Sequence, residues 1–357
     1  MLLITFRSEA NMSTPQTRPL FPHTVDSTIL SAFRSCPHKF FRQYVEHWKP
    51  IAQSVHLVAG GAFASAIEAA RNSFYVEGLP AADAEAAGLA ALISHYGDFD
   101  CPADSAKSLE RMCGAFEFYL HNYPLGADGA TPITLPSGRR GIEFSFAEPL
   151  DVRHPVTGDP ILYTGRSDMI AERYGAGIWV YDEKTTSSLG ATWGRQWEMR
   201  SQFTGYSWAA RRQGIKTAGA IVRGVSILKT KYDTLEVPTY RSDYEIDRWE
   251  QQVVRDIQRM IRCWEEGYWD FSLDGACTDY GGCSFVPICK SSNPDDWLSS
   301  KFEQRVWDPL ARRELSVAEY EASWDHVRGP GMAPAAGLRG VGPDIGQALG
   351  NELAGML

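Results

Sequence analysis

The sequence predicts an α/β fold, a central mixed β-sheet flanked by helices, with a largely helical N-terminal part. Three observations predict it. Strand-length segments separated by short turns run from Gly141 to Lys184. Segments with helical spacing lie before and after them. Two further strand-like stretches then lead into a long amphipathic helix.

The N-terminal 24 residues hold three prolines and little pattern, and read as a flexible arm. Asp26 or Ser27 opens a helix through Ile29, Leu30 and Phe33, which Pro37 breaks before Phe40, Phe41 and Tyr44. Gly60-Gly61 precedes a helix from Ala62 to Tyr75, and Ala81–Tyr96 and Ala106–Tyr119 read as two more, a helical insertion near 80–120. Gly141–Val152, Ile161–Arg173 and Ile178–Lys184 form a three-strand meander, turned at Thr157-Gly158-Asp159 and Gly175-Ala176-Gly177. Trp193 to Gln213 is helical, and Ala218–Lys231 and Leu235–Arg241 are strands. Ser242 with Glu245 is a capping box for a helix burying Ile246, Trp249, Val253, Ile257, Ile261 and Trp264. Segments 25–292, 293–327 and 328–357 read as the main domain, an extension and a flexible Gly/Ala-rich tail.

At 357 residues and 44% hydrophobic content the chain can bury a large core. No apolar run approaches the roughly 20 residues that span a bilayer, and Met1–Phe21 lacks the apolar region of a secretory signal. The expectation is a cytoplasmic protein without a membrane partner. The net charge of −9, taken whole, argues against a nucleic-acid partner. Locally the balance reverses: Arg195, Arg200, Arg211, Arg212, Lys216, Arg223, Lys229 and Lys231 face Glu198 alone, and Arg34, Lys39, Arg42 and Lys49 face Glu46. A basic strip on an acidic protein suits a phosphate backbone.

The chemistry concentrates on the meander. In Tyr181-Asp182-Glu183-Lys184, alternation sends Asp182 and Lys184 to one face and Glu183 to the other. Gly165-Arg166-Ser167-Asp168 lies on the preceding strand. If the register sets Asp168 beside Asp182, two carboxylates share a few ångströms and repel, and a hard cation such as Mg²⁺ or Mn²⁺ resolves the conflict. Lys184 is then placed to orient a water and to neutralise charge developing on a phosphate.

Gly-x-x-Asp, then Asp-x-Lys, then Gln202-Phe203-Thr204-Gly205-Tyr206 on a following helix resembles the RecB-like branch of the PD-(D/E)XK nucleases, which includes phage and CRISPR-adaptation exonucleases. The resemblance spans roughly residues 27–292 and implies a restriction-endonuclease-like core. It also implies hydrolysis of DNA phosphodiester bonds, exonucleolytic on linear or single-stranded DNA, in phage or bacterial recombination, repair or DNA processing. It assigns Asp168 and Asp182 to the metal, Gln202 to support of the lysine or the metal's water, and Tyr206 to DNA contact, while Arg200, Arg211 and Arg212 of the basic strip are further candidates for DNA contact. A phage recombinase, a single-strand-binding protein or a helicase is the implied partner. The family's early-helix histidine is Ala64 here, and Glu68, one turn on, offers a carboxylate instead. Glu143 reads as a salt-bridged strand residue. Two other readings stand beside this one: a spacer-processing nuclease of CRISPR adaptation, and a catalytically silent DNA-binding module.

Cys277, Cys283 and Cys289 crowd into thirteen residues, with Tyr280-Gly281-Gly282 and Pro287 supplying turns. Cys36-Pro37 is the candidate fourth ligand. Four thiolates suit iron–sulfur or zinc, and the spacing differs from the Cys-x2-Cys of a zinc ribbon. In the resembled family an early Cys-Pro joins three late cysteines around a 4Fe–4S cluster, which here would close a loop of about 240 residues as a structural staple. Cys101, Cys113 and Cys263 have no such companions.

Overall fold

Residues 20–273, 275–278 and 282–320 are described by a computed structural model. The expected tail over 328–357, residues 1–19 of the expected arm, and the Tyr280-Gly281 turn lie outside the described residues.

Where short polar turns join alternating segments, the chain folds back on itself, and the meander does so. Strands β4 (Ile142–Arg153), β5 (Pro160–Arg173) and β6 (Gly177–Thr186) pair antiparallel in order. The tight β5–β6 turn uses Gly175 and Gly177, both left-handed at φ 70° and 82°. From β6 the chain crosses over through helices α6 (Ala191–Arg195) and α7 (Ser201–Arg212) to β7 (Gly219–Ile227), which lies parallel to β6 and is buried along its whole length. A short turn closed by Leu228 N–H donating to Lys231 O at 3.1 Å leads to antiparallel β8 (Tyr232–Tyr240). Two short strands, β1 (Thr24–Val25) and β3 (Ala130–Pro132), also pair with β5, so the sheet is mixed.

Helices cover both faces. Helix α1 (Ser27–Ser35), α7 and α8 (Asp243–Glu266) share one core with Ile170, Val180, Trp208, Trp249 and Val253. The capping box of α8 forms in both directions, Ser242 N to Glu245 Oε2 at 2.7 Å and Glu245 N to Ser242 Oγ at 3.3 Å. Helices α3 (Val55–Tyr75), α4 (Ala81–Tyr96) and α5 (Leu109–Asn122) bury Phe63, Ile67, Leu92 and Phe116 against Val225 and Ile227 on the other face. No helix among the described residues is long and apolar enough to cross a membrane.

Several boundaries differ from expectation. Helix α3 starts at Val55, so Gly60-Gly61 lies inside it. A Cβ at Gly61 would sit 2.6 Å from His95 Nε2, so Gly61 serves close helix approach, and the pair does not mark a helix start. The helix expected over Trp193–Gln213 is two helices, with Arg200 extended at the start of the second. Phe21 is 1% exposed and Thr24–Val25 joins the sheet, so the chain is packed well before residue 25.

Past α9 (Val286–Lys290) and α10 (Pro294–Lys301) the chain returns to its beginning. Strand β9 (Phe302–Gln304) pairs with β2 (Trp48–Pro50), and β10 (Val306–Asp308) forms a hairpin with β11 (Arg313–Leu315). Lys49 pairs with Glu314, and Trp307 Nε1 donates to Asp26 Oδ2 at 2.9 Å. Asp26 also caps α1, accepting from Thr28 N at 2.8 Å and Ile29 N at 2.7 Å.

Candidate active site

Pairing between β5 and β6 ends at Met169 opposite Tyr181. Beyond it β6 stays with β7 as far as Thr186 and parts from β5. The next residues on the two strands are Asp168 and Asp182. Where a ladder bond would continue, Asp168 Oδ2 accepts from Glu183 N at 2.7 Å. The opening is a cleft lined by Asp168, Asp182, Lys184, Gln202, Tyr206 and Arg312, among others.

Asp182 is 1% exposed, and its Oδ1 is ion-paired with the Lys184 ammonium. Gln202, in the first turn of α7, donates from Nε2 to Tyr206 Oη at 2.8 Å and lies 3.5 Å from Asp182 Oδ2. Burial, and then the charge of Asp182, push the Asp168 carboxyl well above the usual range. Burial likewise raises Asp182, against the pull of Lys184. Lys184 is held above its ordinary value because Asp182 and Asp168 outweigh its burial. Two adjacent carboxylates that resist ionising together, with hard oxygen donors at a solvent-reachable mouth, are a donor set that fits a divalent cation. Among the described residues no group of three or more His, Cys, Asp or Glu side chains is gathered closely enough to hold a metal ion.

Glu183 points to the opposite face. Arg71 of α3 meets it there in a buried ion pair, with Arg71 Nη1 to Glu183 Oε2 at 3.0 Å and Tyr119 Oη donating to Oε1 at 2.9 Å. Burial works to raise this carboxyl, but Arg71 and Arg223 hold it at about 2.

The remaining site expectations fall around the cleft or away from it. Glu68 is not among the cleft-lining residues. Its Oε2 lies 3.9 Å from Arg166 Nη1, and Arg166 Nε lies 2.5 Å from Glu143 Oε2. Tyr206 is buried against Phe146 and Phe203, with its hydroxyl at the cleft wall. Arg200 is exposed at the start of α7, over the Trp197 ring. Arg211 and Arg212 sit at the far end of that helix, Arg211 paired with Asp247 at 2.7 Å and Arg212 with Glu148 at 3.8 Å. Arg223 does not belong to any basic surface. It is 1% exposed and locked to Asp128 at 2.6 Å and Glu236 at 2.9 Å, because β7 is an interior strand. Sequence reasoning missed Arg312, Trp307 and Asp26, which line the same cleft from the chain's two ends. Asp26 carries only a helix-cap signal, and no local motif marks Trp307 or Arg312.

All seven cysteines are free. Cys36 stands between α1 and α2 (Pro37–Phe40), and its Sγ is 4.0 Å from Asp270 O. Cys283 N donates to Cys277 O at 3.0 Å. The Cys289 thiol is pushed up by burial first, and then by the charges of Cys283, Cys36 and Cys277. Cys101 and Cys113 pack against the α3–α5 core, and Cys263 against the larger one.

A mixed sheet that parts over an acidic pair, with a lysine on the same strand, frames the cleft. The chain belongs to the PD-(D/E)XK nuclease superfamily, whose profile matches residues 27–290. Nucleases of this superfamily typically use divalent metals and act on DNA. Among solved structures the chain is similar to a candidate exonuclease from Eubacterium rectale, at 12% identity and a TM-score of 0.45 over 77% of this chain and 92% of that one. It is also similar to the protein SSO0001, at 15% identity and a TM-score of 0.29 over 67% and 76%. No curated protein matches.

Proposed function

We propose that this protein is a divalent-metal-dependent DNA nuclease whose cation is held by Asp168 and Asp182. The observation that carries the reading is the meeting of these two carboxylates and Lys184 where β5 and β6 separate. Mg²⁺ or Mn²⁺ bound there would polarise the scissile phosphate and acidify a water. The protein's own groups do the positioning. The Glu183 backbone N–H fixes the Asp168 carboxylate. Lys184, held by Asp182, presents a cation to charge developing on the phosphate. Gln202 ties Asp182 to Tyr206, which limits the rotamers of the acid. Action from an end of linear or single-stranded DNA, and service to a recombinase, single-strand-binding protein or helicase, follow the resemblance to the RecB-like branch.

The test is digestion of end-labelled linear DNA and of a covalently closed circle with Mg²⁺ or Mn²⁺. Loss of the linear substrate with wild type but not with Asp182→Ala supports the nuclease, and survival of the circle supports exonucleolytic action. Binding without degradation would replace the enzyme with a silent DNA-binding module.

We further propose that Cys36, Cys277, Cys283 and Cys289 hold a 4Fe–4S cluster that staples the chain's two ends. The Cys283 N–H on Cys277 O, and the influence of Cys283, Cys36 and Cys277 on the Cys289 thiol, support this. Soft thiolates also suit zinc, so metal analysis of protein purified without oxygen decides. Iron and sulfide in equal amounts, lost in Cys283→Ser, support the cluster. Zinc in a colourless protein ends that part alone.

A further inference from the structure

We propose that Arg312, on the C-terminal hairpin, is a phosphate-binding residue of the cleft and grips the nucleic-acid backbone beside the acidic pair. The inference rests on the nuclease reading and extends it to a part of the chain beyond residue 290, where the family match ends.

The charges in the cleft point to Arg312. Lys184 and Arg166 each already have a carboxylate partner, Asp182 and Glu143. Among the described residues no carboxylate lies within ion-pair distance of Arg312. Its Nη2 donates instead to Gly165 O at 3.1 Å, on the Gly-x-x-Asp segment. A guanidinium carries five N–H donors, so most of its binding capacity is left for a ligand at the cleft it lines. Burial, with the like charge of Arg166, pushes Arg312 down to about 10, against the more distant pull of Glu143 and Glu68.

The position is also built and held. Arg312 is in the left-handed region at φ 52°, with its N–H on Asp308 O at 2.7 Å, a conformation non-glycine residues adopt at a cost. Trp307 on Asp26 and Glu314 on Lys49 pin the hairpin to the N-terminal part. The guanidinium therefore meets a phosphate already oriented, and its planar fork matches phosphate oxygens.

The test is binding of a fluorescein-labelled oligonucleotide in metal-free buffer across a salt series. Glycine keeps the left-handed turn, so Arg312→Gly should fold. It should bind about tenfold more weakly, with the slope of log K against log salt reduced by about one. Arg312→Lys should keep the slope, and Arg313→Ala, exposed on the same hairpin, should match wild type. Wild-type affinity and slope in Arg312→Gly, or no binding by the wild type, overturns the proposal. Failure of the nuclease reading is read separately, as wild type that binds DNA and does not cut it with Mg²⁺ or Mn²⁺.

Discussion

Asp168 Oδ2 accepts a hydrogen bond from the Glu183 backbone N–H at 2.7 Å, so an acid of one strand is aligned by the strand that carries its partner acid. The bond stands where the β5–β6 ladder would take its next step. The carboxylates of Asp168 and Asp182 are thereby held close enough to oppose each other's ionisation.

A bound cation should therefore stabilise the folded chain. At a hundred times its Kd the gain is about 2.7 kcal/mol, so Mg²⁺ or Mn²⁺ should raise the wild-type Tm by several degrees. Asp182→Asn removes a charge from the crowded pair and should be at least as stable as wild type without metal. It should also lose the metal-induced shift and cut DNA more than about 100-fold more slowly, beyond what the loss of an outer-shell partner costs. Scanning calorimetry with and without metal, beside a cleavage assay, checks this.

Behind the same strand, Arg71→Ala should cost about 3–5 kcal/mol, because it leaves the buried Glu183 carboxylate without its ion-pair partner. Replacing both partners with methionine should cost much less. Urea unfolding of the single and double variants separates the two cases, and equal losses would mean that the pair itself contributes little.

The glycine of the Gly-x-x-Asp segment has a steric reason. A Cβ on Gly165 would lie 2.5 Å from Phe146 Cζ and 3.2 Å from Tyr206 Cε1. Gly165→Ala should destabilise by about 1–3 kcal/mol through overpacking. Adding Phe146→Leu should recover part of the loss, a non-additivity visible in a double-mutant cycle.

The N-terminal segment predicts an acid sensitivity. His154 Nε2–H donates to Phe21 O at 3.0 Å, while its Nδ1 accepts from Val156 N at 3.3 Å and Thr157 N at 3.2 Å. His23 stacks on its ring at 3.7 Å, and burial with the His154 charge pushes His23 down to about 3. Burial lowers His154 as well. The unfolded chain takes up protons below about pH 6.5 that the folded chain refuses. Stability from this pair is thus complete above that pH and is lost as pH falls from there toward 3. Tm followed from neutral to acid pH should drop less in His23→Gln than in wild type.

The meander was legible because its strands alternate cleanly and its turns carry glycine. The parity argument gave Asp182 and Lys184 one face and Glu183 the other, and the contacts of Glu183 with Arg71 and Tyr119 follow that division. What escaped was set by distance along the chain. Gly60-Gly61 resembles a helix boundary until His95 is seen against it, and Arg223 resembles surface charge until β7 proves to be interior. Trp307 and Arg312 carry no local pattern at all. Their meaning comes from Asp26 and Gly165, far upstream.

The pinning of the hairpin to Asp26 also has a temporal consequence. A ribosome delivers Asp168 and Asp182 well before Trp307 and Arg312, and N-terminal parts begin to fold first. A nascent or C-terminally clipped chain thus carries the acids with one wall of the groove missing. Completion of the groove waits for the last strands among the described residues to be translated, which makes the hairpin a timer on the maturation of the site.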